Sequence, residues 1–239
     1  MSALNIDQIK IDISNHDYEY VKMLGSGSYG NVFLCKSLKY YDFFAIKYIP
    51  KSKVKDEEYI SLIKLKHHHI IKLYDIFSES DSTYLVMEYC PNATLKQKGK
   101  LDYNEFIYYS KQILEALFYC HSQKIAHRDI KPDNIFIDKY DRVKLADFGF
   151  AKQFDHSTIT NERCGSIMYC SPEIIKGVAF NPFQADIYAL GITFFYMATG
   201  KFPFPHFSID NLKKAIVFCQ IDFNKYNINS EIQNLIAKM

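Results

Sequence analysis

Nowhere in the 239 residues does an uncharged apolar run approach the roughly eighteen residues that a membrane span requires. Residues 1–15 also lack a basic head followed by an apolar block, so no secretory leader is indicated. These two absences point to the cytoplasm, or to the nucleus, and to no membrane partner. The six cysteines (Cys35, Cys90, Cys120, Cys164, Cys170 and Cys219) form no C-x-x-C pair and no disulfide-like rhythm, which is the usage of reduced intracellular thiols. Charge of one sign is lacking too: 29 basic against 27 acidic side chains leave +2, giving no footprint for nucleic acid or an anionic surface. No internal repeat or low-complexity segment occurs, although Asn, Ile, Lys and Tyr are common. What the chain does have is 48% hydrophobic residues and enough length for two modest lobes or one large domain.

The most informative stretch is His127-Arg128-Asp129-Ile130-Lys131-Pro132-Asp133-Asn134. It holds a carboxylate that can accept the proton of an attacking hydroxyl, a lysine that can neutralise charge on a transferred phosphate, and an amide oxygen suited to magnesium. Thirteen positions after Asn134 comes Asp147-Phe148-Gly149, a second oxygen ligand beside a glycine. An isolated H-R-D triplet is as well explained by a solvated surface turn. The eight-residue loop with Asp-Phe-Gly behind it is not, because several independent positions must coincide.

These residues resemble the signature of eukaryotic protein kinases, and the resemblance runs from Tyr18 to the last residue. Lys131 beside Pro132, with Cys164-Gly165-Ser166-Ile167-Met168-Tyr169, is similar to serine/threonine kinases, most closely the calcium/calmodulin-dependent and AMP-activated-like group. The fold class it implies is α+β and two-lobed: a small antiparallel sheet with one helix, then a larger helical lobe truncated at its C-terminal end. The corresponding division is a leader at 1–16, a nucleotide-binding lobe and hinge at 17–90, and a helical lobe at 91–239.

Strands are expected at residues 18–24, 31–37, 43–49 and 83–87 from their β-rich composition and the turns between them. Gly25-Ser26-Gly27-Ser28-Tyr29-Gly30 lies between the first two, where glycines let backbone N–H groups approach phosphate oxygens. A G-x-G-x-x-G of this kind alone would be as well read as a plain hairpin turn, but its place between two strands fits the kinase pattern. The resemblance then implies that Val32, Ala45 and Phe136 enclose adenine, that Met87, Glu88 and Cys90 form the hinge, and that Lys47 binds phosphate while Glu58 orients it. Glu58 stands only eleven positions after Lys47, so its helix must start late. The adjacent His67, His68 and His69 cannot all face one ion, which argues against a metal cluster there.

Apolar residues at 106, 109, 113, 117 and 120 predict a helix over residues 103–121, and residues 135–137 with 143–145 predict a short hairpin. Residues 147–173 correspond to an activation segment ending in Ser171-Pro172-Glu173. The position where related kinases carry a regulatory threonine is Glu162, and we expect it to pair with Arg128 and Lys152, the alternative being a solvated loop glutamate. Asp186-Ile187-Tyr188 resembles an Asp-x-Trp motif, with tyrosine in place of tryptophan, and predicts a hydrogen bond from Asp186 to the catalytic-loop backbone and a helix through residue 198. A last amphipathic helix is expected over residues 230–239, capped by Ser230, with its apolar face lacking cover and open to association of an otherwise monomeric chain. No arginine follows to pair with Glu173, as the resemblance would require.

The implied activity is transfer of the γ-phosphate of ATP, with Mg2+, to Ser/Thr hydroxyls of protein substrates. Asp129, Lys131 and Lys47 would be catalytic; Asn134 and Asp147 would hold the metal. Two alternatives stay open on these residues: a nucleotide-binding, pseudokinase-like scaffold without turnover, and a small-molecule phosphotransferase, which the peptide-docking segment at 164–173 disfavours.

Overall fold

A computed structural model describes residues 5–27, 30–53, 56–79, 81–204, 208–218 and 221–239. The chain separates into two compact units, Met1–Ile63 with Ile71–Tyr89, and Lys64–Ile70 with Cys90–Met239.

In the first unit, helix α1 spans Ile6–Ser14 and is followed by strands β1 (Tyr18–Gly27), β2 (Gly30–Ser37) and β3 (Phe43–Pro50). A single turn of 3-10 helix at Lys51–Lys53 leads into α2 (Asp56–Lys64), so this helix does begin late; β4 (Leu73–Glu79) and β5 (Ser82–Glu88) complete the set. The strands form one antiparallel sheet in the order β1-β2-β3-β5-β4. Alternation along them separates two faces. Phe33, Cys35, Phe44, Ile46, Tyr84 and Val86 build one buried cluster, and Ile9 and Ile13 of α1 cover it. The same helix sends Asp12 to accept a hydrogen bond from the Tyr84 hydroxyl at 2.6 Å, burying both groups. Asn5 caps α1 by accepting from the Gln8 N–H at 3.2 Å. Ile6, Ile9 and Ile13 stand at helical spacing within the residues 1–16 expected to form a leader. Nine residues of mixed polarity are marginal as an isolated helix, and its stability comes from the sheet it covers.

The second unit is built on α4 (Tyr103–Ser122), preceded by the four-residue α3 (Leu95–Lys98). Reciprocal capping starts both: Thr94 with Gln97, and Asp102 with Glu105. Phe106, Tyr109, Ile113, Leu117 and Cys120 are all buried, as the spacing predicts for one face of α4. Short strands follow at β6 (Ile125–Ala126), β7 (Ile135–Ile137), β8 (Val143–Leu145) and β9 (Lys152–Gln153); β7 pairs with β8 and β6 with β9. Helices α5 (Pro172–Lys176), α6 (Pro182–Thr199), α7 (Ile209–Phe218) and α8 (Ser230–Ile236) complete the unit. No helix among the described residues is long and apolar enough to cross a membrane.

Two expectations change here. The last helix is capped by Asn229, whose side chain accepts from the Glu231 N–H at 2.8 Å, and not by Ser230. Its apolar face is covered: Ile232 and Ile236 are buried, and a Cβ added at Gly191 of α6 would lie 3.0 Å from the Met239 Cβ. The absence of a side chain at Gly191 is what lets this end of the chain approach α6, a relation between distant positions that helical spacing in α8 cannot express.

Candidate active site

The sheet of the first unit presents a second face, opposite to the one α1 covers. Val32 pairs with Lys47, Lys47 with Leu85, and Ala45 with Met87 across β2, β3 and β5. Because alternate residues share a face, Val32, Ala45, Lys47 and Met87 lie together on it. Lys47 is buried there, and Val32, Ala45 and Met87 are partly buried. Gly25, Ser26 and Gly27 end β1 opposite Val32, Asn31 and Gly30 respectively. At Gly30 an added Cβ would meet the Tyr48 carbonyl oxygen at 2.0 Å, so this turn of the hairpin tolerates no side chain. Ser28 lies outside the described residues. Glu58 lies within α2, and its side chain is also outside them. Glu88, at the end of β5, donates its N–H to the Lys72 carbonyl at 2.8 Å.

In the second unit, the loop at residues 127–134 is held by Asp186 of α6. Its carboxylate, 1% exposed, accepts from the Arg128 N–H at 2.7 Å and the His127 N–H at 2.8 Å, as the sequence predicts, and also lies 2.9 Å from His121 Nε2 of α4. His127 bridges onward: its Nδ1 accepts from the Asp129 N–H at 3.3 Å, which places the ring proton on Nε2, 3.0 Å from the Ala146 carbonyl. Its ring meets buried Phe148 edge-on at 4.7 Å. Arg128 and Asp147 both adopt left-handed backbone, with φ of 68° and 61°, conformations that such residues hold only where surrounding contacts impose them.

Asp129 is the centre of this network. Its Oδ2 accepts from Lys131 Nζ at 2.6 Å and Asn134 Nδ2 at 3.0 Å; its Oδ1 accepts from the Ser166 N–H and from Ser166 Oγ, each at 3.0 Å. Lys131 Nζ also donates to Ser166 Oγ at 2.9 Å. A serine hydroxyl is thus held with its proton toward the carboxylate and its oxygen against an ammonium. Burial would raise the Asp129 pKa, but the Lys131 bond and charge, with the Ser166 bond, outweigh it and hold the carboxyl below the usual range. Asp129 is consequently ionised at neutral pH and available as a proton acceptor.

Asn134 directly precedes β7 and Asp147 follows β8 by two positions, and at this end of the hairpin the Ala146 N–H donates to the Asn134 carbonyl at 2.9 Å. Both amide protons of Asn134 point to Asp129, at the backbone oxygen and at Oδ2, which leaves the amide oxygen directed elsewhere. An amide oxygen and a carboxylate form the donor set of a hard cation, so these two residues fit magnesium. Phe136, partly buried on β7, bridges to Thr94, and Cys90 is partly buried ahead of α3. His69 anchors Lys64–Ile70 to this unit through its ring, 3.1 Å from the Val143 carbonyl, and through its own carbonyl, which accepts from the Leu145 N–H at 2.8 Å.

Glu162 makes both contacts expected of it: its carboxylate lies 3.3 Å from Arg128 Nη1 and 2.8 Å from Lys152 Nζ. Sequence reasoning missed the role of Ser166, named there only as part of a docking motif, and the part His121 plays on Asp186. Thirty-seven and 65 positions separate these pairs, and no local spacing encodes such contacts.

The family model described as "Protein kinase domain" matches residues 18–239. A probable serine/threonine-protein kinase KIN1 homolog of Enterocytozoon bieneusi (strain H348) is 33% identical over 245 residues, 98% of this chain and 41% of that protein. NUAK family SNF1-like kinase 1 of Homo sapiens is 33% identical over 213 residues, covering 84% of this chain and 32% of that protein. A carbon catabolite-derepressing protein kinase of Candida glabrata is 35% identical over 211 residues, 84% of this chain and 34% of that protein. The chain spans less than half the length of each of these curated relatives.

Proposed function

The chain belongs to the protein kinase domain family, and on that premise we propose that it is a serine/threonine kinase that transfers the γ-phosphate of ATP to hydroxyls of protein substrates. The observation that carries this reading is the Ser166 hydroxyl seated between Lys131 Nζ at 2.9 Å and Asp129 Oδ1 at 3.0 Å, a hydroxyl oriented for loss of its proton to a carboxylate. An acceptor serine or threonine would present the same group to Asp129. As its oxygen bonds to the γ-phosphorus, the bond from that phosphorus to the β-phosphate oxygen breaks, ADP leaves, and the hydroxyl proton passes to Asp129. Lys131 offsets charge on the transferred group, and Lys47 does so on the remaining phosphates.

Magnesium, when bound, would neutralise phosphate charge and orient the γ-phosphate; Asn134 and Asp147 would hold it through oxygen. Gly25, Ser26, Gly27, Ser28 and Gly30 would supply backbone N–H groups to the phosphates, and Glu58 would orient Lys47. Val32, Ala45, Met87, Glu88, Cys90 and Phe136 would receive the adenine and its edge. The division into a nucleotide lobe at 17–90 and a helical lobe at 91–239 belongs to the same reading, as do a monomeric state, partners limited to protein substrates, and an intracellular location.

The test is phosphate transfer from labelled magnesium ATP to a degenerate Ser/Thr peptide library, comparing residues 1–239 with Asp129→Asn and Lys47→Met. We expect Asp129→Asn to lower kcat by about 10²–10⁴-fold, the range of general-base contributions, with ATP still bound. Transfer by a folded Asp129→Asn variant at the unmodified rate would overturn the assignment of the base.

A further inference from the structure

Lys96 of α3 carries its charge over two aromatic rings. Its Nζ lies 4.4 Å from the centroid of Tyr196 in α6 and 4.4 Å from that of Phe202, a separation at which an ammonium is drawn to ring faces. The two rings meet each other at 5.5 Å, and Phe202 meets Tyr169 edge-on, also at 5.5 Å. The backbone is held as well. The Lys96 carbonyl accepts from the Tyr196 hydroxyl at 3.0 Å, next to fully buried Leu95, while Lys96 and Phe202 themselves are only partly buried. A cation seated in this way has already given up much of the side-chain freedom that a surface lysine loses on pairing.

Packing within the second unit brings this cation toward the acceptor site. Helix α3 packs on the Pro132–Asn134 turn, and α6 packs on that turn and on Ile167–Tyr169. Tyr169 closes the single 3-10 turn that begins at Ser166, whose hydroxyl sits on Asp129. Lys96 Nζ is thereby within roughly 20 Å of the place an acceptor hydroxyl takes, no more than about six residues of extended peptide.

The charges around the rings are unequal in sign. Lys201 directly precedes Phe202, and a Cβ added at Gly200 would lie 3.3 Å from the Lys100 Cβ, so two further lysines stand at the C-terminal end of α6. Nearby carboxylates are engaged elsewhere: Glu105 takes Lys98 at 2.6 Å, Asp102 caps α4, and Asp129 takes Lys131. Asp133 is the exception. It is exposed, and burial first, then its charge, raise the pKa of both Tyr169 and Tyr196, which places this carboxylate alongside the same rings. Asp133 alone would draw a basic residue, but with Lys96 seated on those rings an incoming cation meets a like charge.

We propose that Lys96 is a specificity-determining residue: its ammonium, fixed on Tyr196 and Phe202 beside the acceptor site, favours peptides with a carboxylate within about six residues of the Ser/Thr and disfavours those with Lys or Arg there. This deepens the kinase reading above and rests on it.

The experiment uses the chain of residues 1–239 and a set of Ser/Thr peptides, identical except for one Glu, Ala or Arg placed in turn at each of six positions on either side of the acceptor. Transfer from magnesium ATP gives kcat/KM for each peptide, and the readout is the Glu-to-Arg ratio at the most sensitive position, from which any general loss of rate cancels. The unmodified protein is expected to favour Glu roughly three- to ten-fold, less so at high salt. The ratio should fall to near one in Lys96→Met, which keeps the length of the stem, and below one in Lys96→Glu. Phe202→Leu, which removes one ring from under the ammonium, should lower it part of the way. Lys96→Met carries the comparison if Lys96→Glu folds poorly, and thermal midpoints identify such a variant. A ratio near one in the unmodified protein, or one that Lys96→Met leaves unchanged, overturns the assignment and leaves the kinase reading intact. So does a preference for Arg that is lost in Phe202→Leu, since the rings would then receive the cation of the peptide in place of Lys96. A folded, ATP-binding protein that transfers phosphate to no peptide in the set or in the degenerate library overturns the kinase reading, and the role of Lys96 with it.

Discussion

At the scale of single residues, the state of Asp129 depends on how many donors converge on it. Four hydrogen bonds from three side chains and one backbone N–H engage both its oxygens, one of them from the hydroxyl of Ser166, and Lys131 contributes the shortest. The depressed pKa has a defined consequence for pH. A carboxyl whose folded pKa lies below its unfolded value, near about 3.9 for aspartate, contributes stability that is present above that value and lost as pH falls through the lower folded pKa. Between pH 5 and 8, roughly, Asp129 is then already ionised, and kcat/KM measured over this range is expected to show no acid limb from its titration. A limb that disappears in Asp129→Asn would contradict that assignment. Asp186 matters by the same logic of convergence. With three donors on one buried carboxylate, Asp186→Ala leaves those donors without their acceptor, at about 1–3 kcal/mol for each that water cannot reach, a cost readable from urea unfolding.

At the scale of elements, α1 and α8 show how a short helix is fixed by what it covers. Helix α1 places Ile9 and Ile13 on the sheet cluster and joins it through the Tyr84–Asp12 hydrogen bond. Tyr84→Phe keeps the ring but removes the hydroxyl, leaving the 6% exposed Asp12 with its Gln8 contact alone. We expect a loss of about 1–3 kcal/mol in urea unfolding, with β-sheet content retained. A cost near zero would mean that α1 is held by its apolar contacts only. Helix α8 is fixed similarly, by burial of Ile232 and Ile236 on the unit that contains α6. In both, the amphipathic face is visible along the chain while its cover lies far away in sequence.

At the scale of the whole molecule, each unit carries a buried thiol in its core: Cys35 in the first, pushed up to about 12 by burial, and Cys120 of α4 in the second, pushed up by the same cause. Neither forms a reactive thiolate at neutral pH while its unit is closed. Labelling of each by a thiol reagent at pH 7.5 is expected to run at least about a thousand-fold slower than in urea, equivalent to ~4 kcal/mol of opening free energy, so the two rates report the two units separately. The α4 face, the β7–β8 hairpin, the hold of Asp186 on the backbone at residues 127–128 and the Glu162 pairing were all legible in the sequence. They depend on residue type at short spacing, or on a motif whose members keep their order along the chain. The sheet that α1 covers, the cover over α8, the Asn229 cap and the placement of Ser166 on Asp129 were not legible. Each of these is a contact or a competition between segments, and the free energy that decides it is gained only when distant residues are brought together and removed from water. Sequence by itself determined which residue types stand together at 127–134 and in what order; the tertiary structure decided which groups hold Asp129 in place, because burial and hydrogen-bond geometry exist only in the folded state.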